Sequence, residues 1–298
     1  MAARKFKINA FDISNAIFMV VFSFFILYPL WYCIVFSFNE GTDIAFNGLV
    51  YWWPREFTLI NYQVLLRDNT IAKAFMVSVA RTVLGTALHV FFTAMVAYAF
   101  SKRKLPARGL FLTAGTITMF FGGGMIPTYL WYRSLGLLDN FFVYIFPWMF
   151  SFFDALIFMG FFRTIPDSIE ESAEIDGAND FLIFLRLILP LSTPVLATIT
   201  IFHGVAQWND FFSGFLYINK NTDLTPIQTF LYQMVVTTEA YTKIPELARQ
   251  AAATSKMKIT PEGIRVAVMM ISTLPIMVVY PFLQKYFTKG VMLGAIKG

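Results

Sequence analysis

The stretch ISNAIFMVVFSFFILYPLWYCIVFSF, residues 13–38, contains no charged side chain. A helix needs about 20 mostly apolar residues to cross the roughly 30 Å hydrocarbon core of a bilayer, and this one has them. It follows a basic start, Met1 to Lys7, but is too long for the apolar part of a cleaved signal and lacks a clear A-x-A site. It is therefore expected to be a retained first span. Working outward, five further stretches qualify: 71–100, 108–132, 141–162, 188–218 and 264–287. Pro190, Pro194, Gly204 and Gly214 interrupt the fifth. The expected fold is all-α: one polytopic membrane domain over residues 1–298 with six transmembrane helices.

Composition points the same way. Of 298 residues, 57% are hydrophobic and 14% charged, against about 25% charged in a soluble domain. A water-soluble fold of this chain would expose large apolar patches. The net charge of +5 does not indicate nucleic acid, because the basic residues cluster at the ends of apolar runs and form no stripe interleaved with aromatics. The one cysteine, Cys33, permits no intrachain disulfide, so redox chemistry says nothing of the compartment.

Lys and Arg in short loops set the orientation. Arg4, Lys5 and Lys7, then Lys102, Arg103, Lys104 and Arg108, then Lys285, Lys289 and Lys297 fall on one side if the spans are even in number. That side is expected to be cytoplasmic and to hold both termini. The outer loop at 39–70 carries Tyr51, Trp52 and Trp53, as an interfacial belt would. The cytoplasmic loop at 163–187 is mostly acidic instead.

That loop is IPDSIEESAEIDGANDFLIFLRLILPL over Ile165–Leu191. Pro166 ends the preceding span, and Ser168 with Glu171 suggests a capping box. Glu170, Glu171 and Glu174 suit the positive end of a helix dipole, and Gly177 is a natural stop. Asp180 is expected to cap a second short helix, Phe181 to Leu189, limited by Pro190. Ala173 and Gly177 are four apart and would leave one smooth face for close approach by another protein. An ordinary solvated loop helix fits the same residues.

The spacing of Glu171-Ser172-Ala173, Gly177 and Leu189-Pro190 resembles the EAA loop of binding-protein-dependent ABC importer permeases, with Ser172 in place of the first alanine and Leu187 in place of isoleucine. Glu174-Ile175-Asp176-Gly177-Ala178 is typical of the carbohydrate branch. Met125-Ile126-Pro127-Thr128-Tyr129, Leu135-Gly136-Leu137, Trp208-Asn209-Asp210 and the closing Gly290–Gly298 are similar to the maltose-type permeases, most of all the LplC/YtcP-like oligosaccharide branch. The resemblance covers most of the chain and is weakest at 219–263. It implies half of a translocation pathway shared with a second, homologous permease subunit, two ATPase subunits that hold ATP and magnesium, and an extracytoplasmic sugar-binding protein that delivers an oligosaccharide. It also implies that Glu170, Glu171, Ser172, Ala173, Asp176, Gly177, Leu189 and Pro190 meet an ATPase, and that the tail at 288–298, with Lys289, Gly290, Lys297 and Gly298, reaches toward the ATPase pair. No cofactor is implied on this chain. The location implied is the bacterial plasma membrane.

Polar residues inside spans are costly and mark function or mutual pairing. Asp154 in the middle of span four, Arg81 in span two, and Gln207, Trp208, Asn209 and Asp210 in span five are the candidates for lining the pathway. Trp beside amide and carboxylate suits a sugar, and pairing between helices suits the same residues. The excess of bases over acids in the loop at 219–263 fits an anionic sugar, such as a uronate oligosaccharide of the alginate kind, and equally fits plain solvation. His89 and His203 lie in separate spans without a metal-binding pattern and are expected to pack singly. Gly122-Gly123-Gly124 lacks the ending of a phosphate loop and suggests a bend or close packing. No Walker A pattern is present, so hydrolysis belongs to another chain. A secondary transporter would call for inverted repeats and paired intramembrane carboxylates. A membrane enzyme would call for a catalytic constellation. Neither is legible here.

Overall fold

The computed structural model describes residues 9–67, 69–236 and 259–295. Among them the structure is helical apart from one antiparallel bridge, Asn39 to Phe57. Three helices are each long and apolar enough to cross a membrane: α1 (Ala10–Ser37), α4 (Asn69–Ser101) and α14 (Pro261–Ala295), the last over Pro261–Val279. Three bent pairs bring the possible spans to six.

The described residues divide into two compact units, one built from 9–67 with 233–236 and 259–271, the other from 69–232 with 272–295. In the first, α1 begins where the Asp12 carboxylate accepts from the Asn9 backbone N–H at 2.9 Å. Over residues 10–27 its side chains are exposed all round, Phe11 at 77% and Phe25 at 69%, while Val35 and Phe36 near its end are buried. A helix apolar on every side is one that a membrane or a partner helix covers. After α1, helices α2 (Gly41–Asn47) and α3 (Ile60–Arg67) fold against a polar knot. Asp43 accepts from Asn39 and Asn47 at 2.8 Å each and pairs with Arg55 at 2.9 Å. The amides of Asn47 and Asn39, with Arg55 beside them, hold its carboxyl below the usual range.

In the second unit α4 is the hub. It packs against α7 (Phe152–Phe162) and α11 (Thr193–Asn209). Fully buried Ala94 and Ala97 let Phe158, Ile183, Phe184, Ile188 and Ile199 close in. Small residues serve helix contact in a membrane, where hydrophobicity alone drives no association.

The expected span at 108–132 is not continuous. It is α5 (Arg108–Phe120) and α6 (Met125–Ser134), bent by 115°. The break falls on the triple glycine: Gly124 has φ +80°, and Gly122 and Gly123 have open space where a Cβ would stand. The glycines therefore turn the chain and mediate no close packing. The stretch at 141–162 is likewise bent, by 48°, between two 3₁₀ turns over Phe141–Trp148 and α7. Asp154, just past this bend, lies in the first turn of α7, its N–H donating to Ser151 Oγ at 3.2 Å. The fifth stretch begins earlier than expected and bends by 83° between Asp180–Leu191 and Thr193–Asn209. Pro190 has no N–H to continue an α-helical ladder, and the turn before it widens to a π-helix over Phe184–Ile188.

Candidate functional site

Two regions carry the polar residues singled out in the sequence. The first is the helix-turn-helix. Helix α8 (Asp167–Ile175) starts after Pro166, and no side chain caps it, so the expected Ser168/Glu171 box does not form. The Ser168 carbonyl instead accepts from Ser172 Oγ at 2.8 Å. Gly177, at φ +84°, stops the helix: its N–H donates to Glu174 O at 3.0 Å, and that of Ala178 to Ala173 O at 2.9 Å. The next helix, α9 (Asp180–Ile183), is capped by Asn179, whose Oδ1 accepts from Leu182 N at 2.8 Å. Asp180, the expected cap, lies beside Lys102 instead, at 3.5 Å.

The faces of α8 are resolved. Ala173 turns inward with Ala178 against the apolar core, so it does not share an open surface with Gly177, which has nothing within 4 Å of a Cβ position. Glu170 also turns inward and pairs with Lys102. Glu171, Ser172 and Asp176 face out. With them stands Ile175, 86% exposed, a residue not picked out from the sequence. Its signal was present: one large apolar side chain in the last turn of an acidic helix. Leu189 packs on the core, and Pro190 is exposed at the bend. Lys289 and Gly290 continue α14, while Lys297 and Gly298 lie outside the described residues.

The second region is a buried polar chain. Arg81, Gly85 and His89 share one face of α4 at four-residue spacing, and His203 and Gln207 share one face of α11. Gly85 leaves room for Gln207, whose Nε2 stands 3.0 Å from where a Cβ would be. Arg81 is wholly buried. It donates to Gln207 Oε1 at 3.0 and 3.2 Å, to the Asp210 carbonyl at 3.0 Å and to Asp210 Oδ2 at 2.5 Å. Its guanidinium lies 4.4 Å from the centre of the Tyr144 ring. Gln207 Nε2 donates to Tyr144 O at 3.1 Å and faces His203 Nε2 at 3.5 Å. The histidines do not pack singly: their rings stack with centroids 3.7 Å apart.

Hydrogen-bond accounting places one proton at the histidine end of this chain. His89 Nδ1 lies 2.7 Å from the Trp148 carbonyl, which can only accept, so that nitrogen carries hydrogen. Nε2 then faces Asp154 Oδ2 at 2.9 Å, so one proton lies in that contact. Imidazolium with carboxylate and imidazole with carboxylic acid are both neutral as pairs. His89, Asp154 and His203 have donor atoms within 4.8 Å of one another. Rings parallel to within 8° aim their in-plane lone pairs side by side, which does not suit a single ion.

The candidates for pathway lining are therefore distributed as follows. Arg81, Gln207, Asp210 and Asp154 satisfy one another or a histidine. Trp208 donates to Ser272 O at 2.9 Å. Its ring borders a cavity of about 540 Å³ between α4, α11 and α14, where Thr82, Thr86 and Thr200 supply hydroxyls to an otherwise apolar wall. Asn209 is exposed.

No family model matches the chain. Individual relatives do. The chain is 39% identical over 291 residues to protein LplC of Bacillus subtilis, covering 97% of this chain and 96% of that one. It is 36% identical to the polygalacturonan/rhamnogalacturonan transport system permease protein YtcP of the same organism, over 98% and 100% of the two chains. A bacterial ABC transporter involved in import of the acidic polysaccharide alginate contains a chain that matches 95% of this one, over its own full length, with TM-score 0.84 and 30% identity. The chain belongs to the sugar ABC-transporter permeases. Within that permease family, the helix-turn-helix and the interior chain are two separate structural features, one facing out and one sealed between helices.

Proposed function

We propose that this permease is one half of a heterodimeric, binding-protein-dependent oligosaccharide importer of the bacterial plasma membrane, with six spans and both termini cytoplasmic. It makes and breaks no bond. Two partner ATPases hold ATP and magnesium, and α8 with its turn docks in a cleft of one of them. Closure of the ATPases then moves the permease helices as rigid bodies between inward- and outward-open arrangements. The observation that carries this reading is the outward face of α8, where Glu171, Ser172 and Ile175 stand exposed on a helix whose other face is anchored. An aliphatic side chain ringed by carboxylates suits a partner cleft with an apolar floor and basic rim. The tail at 288–298, with Lys289 and Gly290 at the end of α14, is assigned to the ATPase pair on the resemblance alone.

The cargo follows from the relatives. The sugars in the names of two of them, alginate and polygalacturonan/rhamnogalacturonan, make an anionic oligosaccharide the first candidate. Reconstitution in liposomes with the ATPase and binding-protein subunits tests the assignment. ATP-dependent sugar uptake, stronger for uronate than for neutral oligosaccharides, is expected. Uptake without ATP, with an ATPase that never copurifies, would overturn it.

A further inference from the structure

The basic run after α4, among those that set the expected orientation, has members that do different work. Arg108 donates to the Phe100 carbonyl at 2.7 Å and closes the end of α4. Arg103 and Lys104 are exposed. Lys102, the first residue past α4, turns back under the helix. Its ammonium pairs with Glu170 of α8, lies 3.5 Å from Asp180 of α9 and sits 4.5 Å from the centre of the Tyr98 ring of α4. One cation therefore joins three elements.

We propose that Lys102 is a positioning residue that clamps the helix-turn-helix to the inner end of α4, so that displacement of α8 by an ATPase is passed to α4 without slack.

The proposal rests on the coupling reading above and adds the part that transmits the motion. Helix α8 has nine residues, too few to hold its own place in water. Its inward apolar contact is small, chiefly Ala173. Without a polar tether it could swivel about the turns at Thr164–Pro166 and Gly177 while α4 stayed still. The Lys102 and Glu170 side chains are only 26% and 22% exposed, so solvent competes weakly for them. Burial works against the ammonium, but the Glu170 carboxylate that accepts from it and the Tyr98 ring beneath it outweigh burial and raise its pKa above that of free lysine. Lys102 is thus charged throughout the physiological range. Glu170 and Glu171, adjacent in sequence, have opposite duties: one holds the permease, the other faces the partner.

The test uses the full chain in its assembled importer, with Cys33→Ser and nitroxides at exposed Asp167 in the first turn of α8, away from the outward face, and at exposed Met76 on α4. Pulsed dipolar spectroscopy reads their separation with and without MgATP, and copurification reads ATPase binding. The clamped importer is expected to give one narrow distance that MgATP leaves unchanged, because the two helices move together. Lys102→Met is expected to broaden the distribution and make it shift with MgATP while the ATPase still copurifies. Lys102→Glu with Glu170→Lys is expected to restore the narrow distance. A Lys102→Met distribution as narrow and as insensitive to MgATP as that of the parent would overturn the clamp. Loss of ATPase from the parent itself would instead overturn the coupling reading, and the distances in the permease alone would still judge the clamp.

Discussion

Arg81 and Glu171 are both charged residues in an apolar chain, and they sit in opposite circumstances. Arg81 is wholly buried and all its hydrogen bonds go to Gln207 and Asp210. Glu171 is exposed on α8 beside Ser172 and near Ile175. The interior chain is closed, each charge matched within it. The surface of α8 is open, and its inward partner Glu170 is the one already spent. A charge in a membrane protein is thus a weak sign of a ligand until its partners are known. In this permease the closed set joins α4 to α11, and under the proposed function the open set meets another protein.

The largest expected effect lies in the closed set. Arg81→Leu strands the Asp210 carboxylate and Gln207 between α4 and α11, at a cost of about 3–5 kcal/mol for breaking a buried pair from one side. Yield and thermal unfolding in detergent should both fall sharply. Arg81→Leu with Asp210→Leu should recover much of the loss, and a single variant as stable as the parent would break the comparison from the interior side.

A smaller, purely functional effect is expected from the open set. Ile175→Asp alters a side chain that is 86% exposed, so folding should shift by no more than about 0.5 kcal/mol. ATPase binding should weaken by at least about tenfold if the residue fills a partner pocket. Gly177 sharpens the point. Its φ of +84° disfavours any side chain, so Gly177→Ala adds strain of about 1 kcal/mol alone, while Gly177→Arg adds a bulky cation as well. The arginine variant should lose ATPase-coupled activity and the alanine variant should keep most of it, as binding-protein-stimulated hydrolysis will show.

The smallest effect concerns a loop that belongs to neither set. Asp139 Oδ1 accepts from the backbone N–H groups of Lys220 at 2.6 Å, Asn219 at 2.7 Å and Asn221 at 3.3 Å. The Lys220 N–H above all, outweighing partial desolvation, holds its carboxyl below the usual range. A group with a lowered folded-state pKa stabilises above its unfolded value and loses that contribution as pH falls through the lowered one. The loop contacts should therefore persist at neutral pH and weaken only below about pH 4. Asp139→Ala should remove them at every pH, costing about 1 kcal/mol, seen as faster hydrogen exchange at amides 219–221.

The sequence made much of this legible. Residues 13–38 and 71–100 are long and mostly apolar, the second with Arg81 and His89 as its polar interruptions, and they are helices to within a few residues. The breaks at Gly122–Gly124 and around Pro190 were visible as residues but not as angles, because glycine permits a bend without setting its size. The closed polar chain was half legible. Arg81, Gly85 and His89, like His203 and Gln207, recur at helical spacing, which marks one face of each helix. That the two faces meet depends on how α4 packs on α11, which no local pattern fixes. On α8 the spacing of Ala173 and Gly177 suggested a shared open face. The helix ends before Gly177, and its rotation, set by the core under Ala173 and by Lys102, turns Ile175 outward instead.

The central claim is that the outward face of α8 is where the ATPase docks. Photocrosslinkers placed singly at Ile175, Ser172 and Ala173 in the assembled importer test it most directly. Capture of the ATPase from 175 and 172, and not from the inward position 173, is the expected result. An ATPase that copurifies but is captured from none of these positions, or equally from all three, would contradict it.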